Sequence, residues 1–140
     1  MNMQHEATVG AEPVVRVTDL GMRFGTKVVH EHIDLDVRQG EILGIVGGSG
    51  CGKTTLLREM ALLQEPSAGS VQVLGRDIAG LTDAGVAQVR RRVGVLFQNG
   101  ALFGGLNVLH NVGLPLREHT RLSDPLVDRI ARLKLSLVGL

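Results

Sequence analysis

The chain has 140 residues, a formal net charge of +1, 44% hydrophobic residues and a single cysteine. That balance supports one folded domain with a core, and it excludes a disordered, fibrous or internally disulfide-linked chain. Near-neutral charge gives no pull toward nucleic acid, and 3 phenylalanines with no Trp or Tyr leave no set of platforms for stacked bases. One cysteine fits a reducing compartment, and no stretch approaches the ~20 apolar residues that span a bilayer.

Residues 1–12 are polar and irregular, which predicts a mobile N-terminal arm, with the folded part running over 13–140. Val14-Val15-Arg16-Val17 and Ile33-Asp34-Leu35-Asp36-Val37 alternate apolar with polar residues, the pattern of antiparallel strands with one wet face; a turn lies between them around Gly25. Arg38-Gln39-Gly40-Glu41 makes a second turn into Ile42-Leu43-Gly44-Ile45-Val46, apolar on both faces and so expected as a central, buried strand. Ser70-Val71-Gln72-Val73-Leu74 reads as a strand ended by Gly75. A helix is expected from Leu81 to about residue 91 with Thr82 as N-cap, and its Arg90-Arg91-Arg92 end reads as a solvated helix terminus. Val93-Gly94-Val95-Leu96-Phe97 is expected as another buried strand ending at Gln98. Helices are expected over 106–117 and 124–135, the second with Pro125 near its first position.

Between strand and helix, Gly47-Gly48-Ser49-Gly50-Cys51-Gly52-Lys53-Thr54-Thr55 satisfies GxxxxGK[ST]. Such a loop works because its backbone N–H groups converge on phosphate oxygens while the following helix presents its positive dipole end to the same anion. Glycine at 47, 50 and 52 admits the close approach. Lys53 would bridge the β and γ phosphates, the Thr54 hydroxyl would take a position around Mg²⁺, and Thr55 would reach the α phosphate of ATP. In the helix that follows, Leu56, Leu57, Met60 and Leu63 fall at core spacing. Cys51, at a helix N-terminus, is either a thiolate-prone side chain that ATP would shield or an inert small residue.

The order of these features resembles the first half of an ABC-type ATP-binding subunit: two alternating strands around an aromatic turn, then GGSGCGKTT, then Val95-Leu96-Phe97-Gln98. The resemblance covers 14–140. It implies an α/β fold of the P-loop NTPase class, ABC type, with an antiparallel β subdomain and an incomplete RecA-like core. A narrower likeness, through Gln98-Asn99-Gly100-Ala101-Leu102-Phe103, Asn107-Val108, Asn111-Val112 and Pro115-Leu116-Arg117-Glu118-His119-Thr120, is to the ATPases of Mla-type phospholipid transport systems. Polar or acidic residues are expected there after GALF, where this chain has Gly104-Gly105.

What the resemblance implies is specific. Phe24 would stack on adenine, against the alternative that it packs inside the antiparallel subdomain. Gln98 would sense Mg²⁺ and the attacking water, which makes Lys53 and Gln98 the expected catalytic residues. Residues 98–120 would face a transmembrane permease; Leu102, Phe103, Leu106 and Val108 are apolar enough for that interface or for core. A second ATP-binding subunit, a periplasmic MCE-type lipid-binding subunit and a small STAS-type protein would complete the complex, at the cytoplasmic face of a bacterial inner membrane.

Hydrolysis in that family also requires an apolar strand ending in Asp-Glu, an LSGGQ-like segment and a switch histidine. None occurs here, and His110 and His119 sit in helical context. The expectation is an N-terminal fragment whose phosphate-loop strand lacks both sheet neighbours and which folds poorly alone. A non-hydrolytic ATP-binding module and a small-molecule kinase are the other readings of the same loop.

Overall fold

The structure, a computed structural model, describes residues 12–140. The expected arm lies outside the described residues except for Glu12, which is exposed. Two compact units divide at Val95, and each is described by itself.

The first unit is built on an antiparallel sheet. Strands β1 (Pro13–Phe24), β2 (Lys27–Arg38), β3 (Ala68–Val73) and β4 (Arg76–Asp77) stand in the order β2-β1-β3-β4. The first two are far longer than the alternating runs alone suggest, and Phe24 pairs with Lys27 across a tight turn at Gly25. Their length survives because both strands bulge. The β1 register shifts between Val17 and Leu20, where Asp19 takes a φ of +48°, and opposite it His32 has a φ of +53°. Each bulge moves the inward parity by one residue. On β1 the buried side thus passes from Val17 to Leu20 and Met22; on β2 it passes from Leu35 and Ile33 to His30, while Glu31 turns outward.

Gly69 explains how β3 closes against that bulge. Its φ is +79°, and a Cβ there would overlap the Asp19 carbonyl oxygen, so only glycine admits the approach. Val17, Leu20, Val71 and Val73 form the core with Leu62 and Val89, each side chain contributing about 2 kcal/mol by its burial. Helix α1 (Lys53–Met60) and helix α2 (Asp83–Arg90) cover this face through Leu56, Met60 and Val86. Thr82 caps α2 as expected, its hydroxyl accepting from Gly85 N at 3.3 Å.

Three expectations are corrected. Residues 42–46 form no strand, and Ile42 is 99% exposed; Leu43 and Ile45 instead line an open cleft of about 900 Å³ with Ile33 and Leu35. Residues 93–97 likewise form no strand, and Leu96 is 96% exposed. The reason is common to both: among the described residues neither stretch has a hydrogen-bonded neighbour, and apolar sequence does not hold an extended chain without a ladder. Third, α1 ends at Met60, before Leu63. Leu62 enters the left-handed region at a φ of +60°. Leu57 and Leu63 are exposed, and Glu59 takes a buried position on the helix. Arg90, expected in solvent, is exposed along its length but donates from its guanidinium to the Leu62 carbonyl, from Nε at 2.8 Å and also from Nη2.

The second unit is a helical pair, α3 (Val108–His119) and α4 (Asp124–Ser136). Asn107 sets the start of α3 two residues later than the periodicity suggested, its side chain accepting from His110 N at 2.8 Å. Pro125 lies in the first turn of α4 as expected. Buried Gly113 on one helix faces buried Val127 on the other, and the Arg117 guanidinium donates to Asp124 at 3.1 Å and Asp128 at 2.6 Å.

Candidate functional site

Residues 47–55 come together as one loop ending in α1. The helix is entered through Gly52 at a φ of +95°, with no side-chain cap. Leu56 N is the first helical donor with an acceptor, Gly52 O, at 2.9 Å. The N–H groups of Lys53, Thr54 and Thr55 precede it, and a helix start supplies these no acceptor of its own. An uncapped helix start with converging donors suits an anion.

The loop is also shaped so that side chains are kept out. A Cβ at Gly47 would come within 2.8 Å of Cys51 Sγ, and one at Gly52 within 2.7 Å of Val29 Cγ1 on β2. Lys53 reaches back across the loop, its ammonium donating to Gly47 O at 2.8 Å and Gly48 O at 2.6 Å, with Cys51 Sγ at 3.6 Å. A second turn closes Cys51 N onto Gly48 O at 3.5 Å. The residues present therefore fit the triphosphate of a nucleotide: an inward-directed cation, open backbone donors and two small hydroxyl side chains, Thr54 and Thr55, on the first turn. Ser49, Gly50 and Gly48 form the exposed outer arc, and the Cys51 thiol is free and exposed.

Phe24 stands 55% exposed at the β1 end of the hairpin, so it does not pack inside the subdomain. Gln98 is exposed near the start of the second unit. The apolar side chains expected as interface or core are exposed too: Leu102, Phe103, Leu106 and Val108 are not core in the described residues. They are presented by a loop that Asn111 organises. Its amide oxygen accepts from Phe103 N at 2.8 Å, and its amide nitrogen donates to Phe103 O at 3.2 Å, Leu106 O at 3.0 Å and Asn107 O at 3.1 Å. Gly104 and Gly105 lie in the turn closed by Leu106 N to Phe103 O, where a side chain would meet nothing within 4 Å. The departure from the expected polar residues thus leaves the turn intact.

The organising role of Asn111 was not read from the sequence, although its spacing is informative: an Asn four residues past an N-cap Asn can reach back over the preceding turn. Among the described residues no cluster of His, Cys, Asp or Glu has the arrangement of a metal site.

Against known proteins, the model of the ABC transporter family matches residues 30–137. The chain is 39% identical over 127 residues to the intermembrane phospholipid transport system ATP-binding protein MlaF of Haemophilus influenzae, covering 91% of this chain and 48% of that protein. It is 43% identical over 138 residues to the methionine import ATP-binding protein MetN of Mesorhizobium japonicum, covering 97% of this chain and 37% of that protein. The structure superposes on the dimeric post-hydrolysis state of the ATP-binding cassette MJ0796 bound to ADP and Pi with a TM-score of 0.81 and 28% identity, over 90% of this chain and 57% of that one. The chain thus spans half or less of the length of the MlaF and MetN relatives.

Proposed function

The chain belongs to the ABC transporter family, and on that premise we propose that the intact protein is the ATP-binding subunit of a bacterial transporter that moves phospholipid. The observation that carries the nucleotide part is the loop itself, with Lys53 held across it by two carbonyls over an uncapped helix start. ATP would supply the phosphoanhydride bond, with Mg²⁺ neutralising charge on it. This chain's residues bind and orient. The ammonium of Lys53 exchanges its contacts with Gly47 O and Gly48 O for phosphate oxygens, Thr54 and Thr55 add hydroxyls, and exposed Phe24 offers an aromatic face to the base. Gln98 is assigned the sensing of Mg²⁺ and the attacking water. The Asp-Glu strand, signature segment and switch histidine that hydrolysis requires are not among residues 1–140, so hydrolysis is proposed of a chain of the relatives' length.

The loop held by Asn111 supports a permease contact through residues 98–120, since Leu102, Phe103, Leu106 and Val108 present apolar surface there. No helix of the described residues is long and apolar enough to cross a membrane; attachment to the inner face of the inner membrane would come through that partner. The proposed complex has a second ATP-binding subunit, an MCE-type lipid-binding subunit and a STAS-type protein. Phospholipid cargo rests on the likeness to MlaF and on the 98–120 sequence; the comparable likeness to MetN favours a second reading, an importer of an amino acid.

Purification of the intact protein with its co-expressed permease, followed by lipid extraction and ATPase assay, tests both. Turnover that Lys53→Ala abolishes and phospholipid retained by the complex are expected. Turnover stimulated by an amino acid, with no lipid retained, would select the second reading.

A further inference from the structure

Directly behind the phosphate loop lies a buried pair of titratable side chains. Glu59 of α1 is 1% exposed, and its Oε2 lies 2.9 Å from Nε2 of His30 on β2, whose side chain is 8% exposed. Distance alone suggests an ion pair, yet the alignment meets no hydrogen-bond geometry: His30 Nε2 and both Glu59 carboxylate oxygens have no hydrogen-bond partner. A carboxylate buried there without a hydrogen-bond partner is left uncompensated, whereas the same pair with one added proton, on the carboxyl or on the ring, is neutral overall. The other side of the same imidazole faces the loop. His30 Nδ1 lies 3.3 Å from the position a Cβ would take on Gly52, and Val29 Cγ1 and Val29 O border the same point. The ring is therefore wedged between the last glycine of the phosphate loop and the helix that follows it.

The surrounding charges are committed elsewhere. On β2, Glu31 pairs with Arg23 and His32 with Asp19, and all four are exposed. On α1, Arg58 is exposed and Lys53 is held by loop carbonyls. On β1 the residue opposite His30 is Met22, and from the segment after α1 Gln64 donates to the Met22 sulfur at 3.5 Å, while Glu65 is exposed. Among the described residues no further charged group therefore stands in for that proton.

We propose that His30 and Glu59 are a positioning pair that together carries one added proton, seats the phosphate loop on the β1–β2 hairpin, and makes nucleotide affinity fall when that proton leaves at raised pH. The inference rests on the reading of this loop as a nucleotide site. With one proton beyond neutral imidazole and carboxylate the pair is neutral overall, written either as imidazole with carboxylic acid or as imidazolium with carboxylate. Loss of the proton to solvent leaves one buried negative charge behind a loop that must receive polyphosphate. Burial already pushes the Glu59 carboxyl up to about 7 and the His30 imidazole down, which puts the loss near neutrality.

The test is Mg-ATP binding to the intact protein across about pH 6 to 8.5, for the wild type, for Glu59→Gln, and for the double variant His30→Phe with Glu59→Leu. The double variant fills the same space without titrating and remains informative if Glu59→Gln fails to fold. Comparing proteins at each pH cancels titration of the nucleotide. The expected result is wild-type affinity falling about fivefold over the range relative to either variant. Parallel profiles in wild type and variants would overturn the role of the pair's proton. Absence of Mg-ATP binding by the wild type at about pH 6.5 would instead strike the nucleotide reading, so the two failures are distinguishable.

Discussion

Residues 71–73 and residues 42–46 are both short and valine- or isoleucine-bearing, yet Val71 and Val73 lie in the core while Ile42 and Val46 lie in solvent. Val71 and Val73 are buried because β3 pairs with β1 on one side and β4 on the other. Ile42 and Val46 are exposed because residues 42–46 pair with nothing among the described residues. Apolar side chains supply the driving force for burial, but a strand also has to place every N–H and C=O. The difference teaches that an apolar run is buried only where neighbouring strands take up its backbone groups, and among residues 12–140 residues 42–46 have no such neighbour.

The largest effect that would break this contrast belongs to the core. Leu20→Ala, at a fully buried position, should cost about 3 kcal/mol of unfolding free energy, whereas Ile42→Ala should stay within about 0.5 kcal/mol in the 140-residue chain. Denaturant titration of both measures the gap, and equal costs would show that 42–46 is packed in solution. Next comes Gly69→Ala, which forces a side chain into the Asp19 carbonyl at a positive φ. A loss of about 2 kcal/mol is expected, read as a lowered Tm. Smaller still, Thr82→Ala removes the α2 cap and should cost about 1 kcal/mol, visible as faster amide exchange in the first turn of that helix.

The pH dependence concerns the α1 and β2 side of the loop. Glu59 titrates at about 7 in the fold against an ordinary 4.5, so its contribution to stability is complete below 4.5 and lost as pH rises through about 7. His30 is shifted the other way by burial; its contribution is complete above its ordinary value and lost as pH falls. Glu59→Gln cannot ionise, so its Tm should gain on that of the wild type between about pH 5 and pH 8. A constant difference would place the carboxyl in water.

How much of this was legible follows from the same physics. The loop of residues 47–52 leading into α1, the Thr82 cap, the turn at Gly25 and the α4 start are local: each depends on a few adjacent residues, and each lies where the sequence placed it. The bulges were not read, because Asp19 and His32 are ordinary residues at positive φ and only the pairing of two strands reveals the slip. His30 was missed for that reason, since strict alternation from Ile33 points Glu31 inward. Glu59 had a visible signal, sitting three residues after Leu56 and one before Met60 on the apolar stripe, but a carboxylate there reads as solvated until its surroundings are known. Residues 42–46 and 93–97 were read as strands on composition; the resemblance had implied that 42–46 lacks its sheet neighbours, and without a ladder an apolar run is not held extended. Phe24 and Gln98 rest on resemblance, since one exposed aromatic or one exposed amide has no chemical signature of its own.

The measurement that bears most directly on the nucleotide site is the Mg-ATP dissociation constant of the intact protein with and without the Lys53 ammonium. Removing a charge-assisted contact of ~1.5 to 3 kcal/mol should weaken binding of Lys53→Ala by about one to two orders of magnitude, with an unchanged Tm. Unchanged affinity would contradict the assignment of residues 47–55 as the phosphate cradle.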